Sequence, residues 1–93
     1  MVNGLNYELY TVPKCDGCEV VKSYLNEKKV SYGVFDLRNP EDKKVFGKIY
    51  SQVDGKVKKN VQNQTILPLL VGIKDSKVEQ IAQGIDEVKN LFN

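Results

Sequence analysis

Tyr7-Glu-Leu-Tyr-Thr-Val-Pro-Lys-Cys15-Asp-Gly-Cys18-Glu-Val-Val-Lys-Ser-Tyr-Leu25 is the stretch whose reading decides the fold. Its first part, taken from Asn6 to Val12, is rich in β-formers that alternate imperfectly, which predicts a central strand. Pro13 stops it. From Asp16 to Lys29, the residues Val20, Val21, Tyr24 and Leu25 recur at helical spacing, with Glu19, Lys22 and Glu27 outside them. The two cysteines therefore fall at a strand-to-helix junction. This places the first sulfur at a helix N-terminus, where unpaired backbone N–H groups and the helix dipole stabilise a thiolate. The chemistry implied is that of a dithiol exchanging electrons with other sulfurs.

Working outward, Val30 to Leu37 reads as a second strand, and a strand, helix, strand order of this length implies a parallel crossover. Asn39-Pro40-Glu41-Asp42 is a strong helix start: a capping Asn, a proline at the first helical position, then two acids facing the dipole. Val45, Phe46, Ile49 and Val53 continue that helix as an apolar stripe, and Asp54-Gly55 ends it. Residues 56–64 are polar and read as a loop or a frayed extension of the helix, with Lys56, Lys58 and Lys59 as a solvated group. Leu67 to Ile73 suits a buried strand, Asp75-Ser76 a turn, Lys77 to Ala82 a second hairpin strand, and Gly84 to Phe92 a closing helix. The predicted order is β-α-β-α-β-β-α, an α/β arrangement of one sheet covered by helices. Residues 1–93 are expected to form one domain, with no internal repeat or linker.

Composition narrows the function classes. The chain has 93 residues, 41% hydrophobic and 28% charged, with 14 basic and 12 acidic side chains. A net charge of +2 is too near neutrality to argue for nucleic acid or membrane binding. Arg38 is the one arginine among those basic residues, which weakens a nucleic-acid reading further. The N-terminal Met-Val-Asn-Gly-Leu-Asn carries no signal-peptide pattern, and no apolar run is long enough to span a bilayer. A reducing cytoplasm is the expected location. Two cysteines three positions apart close too small a loop to staple a fold, so they are free for redox or metal chemistry.

At this point the chain resembles the glutaredoxins, members of the thioredoxin-fold group. Thr11-Val-Pro-Lys-Cys-Asp-Gly-Cys18 resembles that family's strand, Pro-x-Cys-x-x-Cys and helix. Ile66-Leu-Pro68 resembles its Thr-Val-Pro, whose proline is cis and faces the dithiol. Gln83-Gly-Ile-Asp-Glu87 resembles the Gly-Gly-x-Asp-Asp that opens the last helix and holds one end of glutathione. The resemblance implies a four-stranded mixed sheet flanked by helices, and a thiol–disulfide oxidoreductase with Cys15 as nucleophile and Cys18 as resolving thiol. It implies substrate or glutathione contacts at Lys14, Leu67, Pro68, Gly84, Ile85, Asp86 and Glu87. It further implies no tightly bound cofactor, glutathione as electron donor, and disulfide-containing proteins as substrates. A hydrogen donor to ribonucleotide reductase, recharged by thioredoxin reductase, is the other version of this reading. A monomer is expected.

The departures from the family pattern are specific. Val12 stands where glutathione-using members carry Lys, with Lys14 the nearest charge; Ile66 replaces the Thr and Gln83 the first Gly. Asp16 and Gly17 replace the common Pro-Tyr between the cysteines and are expected to tune the dithiol. A carboxylate beside Cys15 disfavours its thiolate, and Gly17 removes a ring that would shield the sulfurs. The dithiol is expected to be less acidic and more reducing than is usual for the family. A reading of another class uses the same cysteines, shared between two chains, to hold an iron–sulfur cluster or zinc. The chain has no His, so one copy cannot complete a His–Cys zinc site. Tyr10, Tyr24, Tyr32, Phe35 and Phe46 read as packing residues.

Overall fold

Strand β1 (Asn6–Thr11), helix α1 (Asp16–Glu27), strand β2 (Tyr32–Asp36) and helix α2 (Pro40–Val53) make up the first half of the chain. A hairpin of β3 (Leu69–Lys74) and β4 (Lys77–Gln83) follows, and helix α3 (Ile85–Phe92) closes the chain. The structure is a computed structural model that describes residues 5–62 and 65–92. Its four-stranded sheet has the order β2-β1-β3-β4, with β1 parallel to β2 and antiparallel to β3, and β3 antiparallel to β4. The β-α-β-α-β-β-α order and the mixed sheet expected from the sequence are therefore present.

Alternate residues of the central strands feed two cores. On one face Tyr7 and Leu9 join Leu70 and Ala82 beneath Val21 and Leu25 of α1 and Val88 of α3. On the other, Tyr10 joins Leu69 and Val71 beneath Ile49 and Val53 of α2. Burial on both faces explains why β1 alternates imperfectly in sequence. The five aromatic residues read as packing all lie in or against these cores. The Tyr10 ring meets Phe35 and Phe46 at centroid distances of 5.3 and 5.0 Å, and its hydroxyl donates to the Glu8 carboxylate. Burial, with Glu8 accepting that proton, pushes the Tyr10 phenol far above its ordinary value, so it remains protonated.

Element boundaries differ from the sequence reading where local chemistry intervenes. Helix α1 stops at Glu27 because Lys29 turns left-handed, with φ of 60°, and the Val30 N–H caps the Leu25 carbonyl at 3.0 Å. Strand β2 is shorter at both ends than Val30 to Leu37. Helix α2 starts as expected, Asn39 Oδ1 accepting from the Glu41 N–H at 2.9 Å with Pro40 next to it. Strand β3 begins at Leu69 rather than Leu67, after the cis Leu67–Pro68 bond.

The segment after α2 is less solvated than its composition suggests. Val57 is buried, Lys59 pairs with Thr65 in an antiparallel bridge, and its Nζ bonds the Tyr50 hydroxyl and Asp54. Lys58 forms an ion pair with Glu87. Of the three lysines read as solvated, the structure leaves Lys56 exposed and gives the other two partners. Residues Asn63 and Gln64 of that loop lie outside the described residues. No helix among the described residues is long and apolar enough to cross a membrane.

Candidate active site

The turn between β1 and α1 is tight because Lys14 adopts φ of 59°, a left-handed conformation that costs a lysine about 1 kcal/mol or more. Cys15 then serves as the N-cap of α1: its sulfur accepts from the Cys18 N–H at 3.1 Å, and its carbonyl accepts from the Glu19 N–H at 3.3 Å. The sulfur thus sits where a thiolate would find an N–H donor and the positive end of the helix. Cys15 and Cys18 are joined as a disulfide with Cα atoms 5.2 Å apart. Their surroundings are unequal: Cys15 is partly exposed, whereas Cys18 is 1% exposed beneath the first turn. Only Cys15 can meet an outside sulfur without local opening.

Gly17 faces the proline loop. A methyl group there would lie 3.3 Å from Pro68 Cδ, so the first turn of α1 and the Pro68 ring are already close to contact. Leu67 and Pro68 therefore lie beside the dithiol turn, Pro68 buried and Leu67 half-buried. A groove of about 710 Å³ opens beside this pair toward α2, lined by Val12, Leu37, Lys43, Phe46, Ile66 and Leu67 among others. A second depression, about 780 Å³, lies at the opposite end of β1 around Leu5, Lys28, Lys29 and Tyr32, away from the cysteines. The first of these adjoins the dithiol turn through Val12 and Leu67, although neither cysteine lines it, and the site is placed at the turn itself.

The residues that open α3 divide into two sets. Gly84, with φ of 87°, closes the first turn by accepting the Val88 N–H at 3.1 Å, and donates its own N–H to the Pro68 carbonyl at 3.0 Å. Asp86 is exposed and Ile85 half-buried. Glu87 is committed internally: one oxygen accepts from the Gln83 N–H at 2.9 Å and the other pairs with Lys58 Nζ. The Lys58 hydrogen bond, then the Gln83 N–H, hold the Glu87 carboxyl below its usual range. A group depressed in the folded state stabilises the fold fully above its unfolded pKa, near 4.5, and that contribution is lost as pH falls through the folded value. Glu87→Gln is therefore expected to lower stability at pH 7 and to flatten its decline below about pH 4.5. Denaturant melts of both proteins at pH 7 and pH 3 check this; parallel pH curves would refute it.

Among the predicted tuning residues, Asp16 and Gly17 are exposed in the first turn of α1, and Lys14 is exposed just before it. Lys43 and Phe46 at the groove were not singled out from sequence as site residues. They lie on α2, thirty or so positions from the cysteines in sequence, and the packing of α2 on the sheet brings them to the groove that Val12 and Leu67 also line. No group of three or more Cys, Asp or Glu side chains that could hold a metal occurs among the described residues.

A family model described as Glutaredoxin matches residues 7–60, from β1 through the dithiol and α2. The chain belongs to the glutaredoxin family. A sequence comparison with curated proteins found no match. Solved structures share the fold. The glutaredoxin of Archaeoglobus fulgidus is 20% identical, with a TM-score of 0.58 over 95% of this chain and 84% of its own. Fasciola hepatica thioredoxin is 22% identical, with a TM-score of 0.60 over 95% of this chain and 75% of its own. A thioredoxin-like protein, BC3987, is 24% identical, with a TM-score of 0.56 over 94% of this chain and 99% of its own. These likenesses make the architecture a thioredoxin-like fold. Glutaredoxins are thiol–disulfide oxidoreductases, and this chain carries the dithiol that such an enzyme requires.

Proposed function

We propose that this glutaredoxin-family chain reduces protein disulfides and glutathione mixed disulfides in the cytoplasm, as a single-domain monomer recharged by glutathione. The observation that supports this most is the unequal burial of the two sulfurs, with Cys15 capping α1 at the surface and Cys18 behind it. The Cys15 thiolate attacks one sulfur of a substrate disulfide, the substrate S–S bond breaks, and one substrate thiolate leaves. Cys18, as thiolate, then attacks the Cys15 sulfur of the mixed disulfide and releases the second substrate thiol. Two electrons have passed to the substrate, leaving the Cys15–Cys18 disulfide. Two glutathione molecules restore the dithiol and leave as glutathione disulfide.

In this reading Leu67 and Pro68 receive the substrate chain beside the dithiol, and the groove toward α2 takes its side chains. The N–H groups at the start of α3, after Gly84 at Ile85 and Asp86, donate to a glutathione carboxylate. Asp86 faces the ammonium, while Glu87 steadies the corner rather than the ligand. Lys14 supplies a cation near Cys15.

The deciding experiment compares turnover on a glutathione mixed disulfide and on a protein disulfide, with glutathione and its reductase or with thioredoxin reductase as electron source. Sustained turnover with glutathione is the expected result. Turnover with thioredoxin reductase alone would replace the donor and favour a ribonucleotide reductase partner. No turnover with either, together with visible absorbance that a chelator removes, would transfer the cysteines to cluster binding.

The residues between the cysteines set the driving force. Asp16→Asn removes an exposed negative charge one position from Cys15 and so stabilises its thiolate. A more stable thiolate stabilises the reduced state. The potential is expected to become less reducing by roughly 10–30 mV, where 30 mV corresponds to about 1.4 kcal/mol for this two-electron couple. Equilibration against glutathione buffers measures it, and a shift toward more reducing values would refute the assignment of Asp16.

A further inference from the structure

Gln83 stands where the resemblance would place glycine, and its side chain is almost fully used. It closes β4 opposite Leu69 and is 9% exposed. Its Nε2 donates to the Lys58 carbonyl at 3.0 Å and to the Ile66 carbonyl at 2.9 Å, and its Oε1 accepts from the Lys58 N–H at 2.7 Å. A neutral amide presents two donors and an acceptor on one rigid plane, which these three backbone partners require. The side chain thus acts as a peptide group inserted between the two limbs of the loop that precedes Pro68. Those limbs also bond each other, with the Ile66 N–H donating to the Lys58 carbonyl at 3.1 Å.

The next residue completes the arrangement. The Gly84 N–H holds the Pro68 carbonyl at 3.0 Å. Two consecutive residues at one corner therefore fix the carbonyls on both sides of Leu67. Glu87 holds that corner in turn, bonding the Gln83 N–H and the Lys58 ammonium. Leu67 itself lies outside the ladder, which begins at Leu69. It is a peptide suspended between two anchored points beside the dithiol turn.

We infer that Gln83 is a positioning residue for disulfide exchange, holding the Leu67 peptide where an incoming substrate chain pairs with it beside Cys15. The inference rests on the reading of Leu67 as a substrate contact given above. It does not require that glutathione be the electron donor.

The test uses Gln83→Leu, which is close in size but makes none of the three hydrogen bonds. Kinetics are measured on insulin, a protein disulfide, and on hydroxyethyl disulfide, which is too small to pair with a peptide backbone. Dithiothreitol is the reductant in both assays. The KM for insulin is expected to rise roughly tenfold, the scale of one backbone hydrogen bond lost or misplaced. The kcat for insulin and the rate on the small disulfide are expected to stay within about twofold. An unchanged KM for insulin, or an equal loss on both substrates, would overturn the inference. Should Gln83→Leu fail to fold, amide exchange in the unaltered protein decides. Lys58 and Gly84 amides protected by about 100-fold or more, opening together, support the clasp. A Lys58 amide exchanging at the rate of an open chain would overturn it. If the unaltered protein does not reduce insulin while Cys15 remains reactive, the substrate reading itself fails and takes the inference with it.

Discussion

Cys15→Ser is expected to abolish reduction of every disulfide substrate, by a factor on the order of 10⁴ or more, as removal of a nucleophile does. A serine hydroxyl at the α1 N-cap keeps the helix capped but cannot form the thiolate that attacks sulfur. Stability should change little, because Cys15 is only partly buried. Cys18→Ser behaves differently. The first attack still occurs, so reduction of a glutathione mixed disulfide persists, with the outside thiol resolving the intermediate. Protein disulfides, which need the internal second attack, should stall as mixed disulfides on Cys15. Mass spectrometry of the stalled species is the check. Full activity in Cys15→Ser would end the assignment, and stalled adducts on Cys18 of the Cys15→Ser protein, with none on Cys15 of Cys18→Ser, would reverse the two roles.

The second large effect is on stability. Leu25 is fully buried where α1 meets α3 and the sheet, in the cluster that contains Leu9, Leu70 and Val88. Leu25→Ala removes buried methyl groups and leaves a cavity, at a cost of about 2–5 kcal/mol. A domain of this size holds roughly 5–15 kcal/mol in total. The melting temperature is therefore expected to fall by about 8–40 °C, using some 4–8 °C per kcal/mol at this chain length. Val20→Ala, five residues earlier on the solvent side and 50% exposed, serves as the control and should change stability by less than about 0.5 kcal/mol. Equal losses from both substitutions would mean that α1 is not docked as described.

These two expectations draw on features that were readable from sequence, whereas the Gln83 clasp was not. The α1 stripe of Val20, Val21, Tyr24 and Leu25, of which Val20 proves half-exposed, the Asn39-Pro40 start of α2 and the strand before Cys15 all follow local periodicity or capping rules, so their order could be written down from the chain. The dithiol was legible for the same reason, because its chemistry depends on a junction between two adjacent elements. Pro68 was found through resemblance, and it shifted the start of β3 by two residues. The pairs that lock the corner, Lys58 with Gln83 and Glu87, are separated by 25 and 29 positions. No periodicity marks them, and Gln83 in a strand looks like any polar edge residue. Lys58 looked solvated because charge in a loop says nothing about a distant carboxylate. The groove residues Lys43 and Phe46 were hidden in the same way, Phe46 reading only as packing and Lys43 marked by no motif.

The register of the sheet carries a consequence for how this dithiol can be altered. The cysteine turn follows β1 and the proline loop precedes β3, and these strands are neighbours, with Tyr10 opposite Leu69. Both strands are buried on two faces, so slipping by one residue would reverse two cores at once. The distance between sulfur and proline is thus set by the scaffold and not by the dipeptide between the cysteines. Yet the two members of that dipeptide are not equally open to exchange. Position 17 faces Pro68, where an added methyl at 3.3 Å from the ring needs a shift of a few tenths of an ångström, whereas position 16 is exposed with no such neighbour. A library that varies both positions should therefore return a wider range of residues at 16 than at 17. In this chain the potential can be engineered from one side of the motif, while the other side gauges the gap.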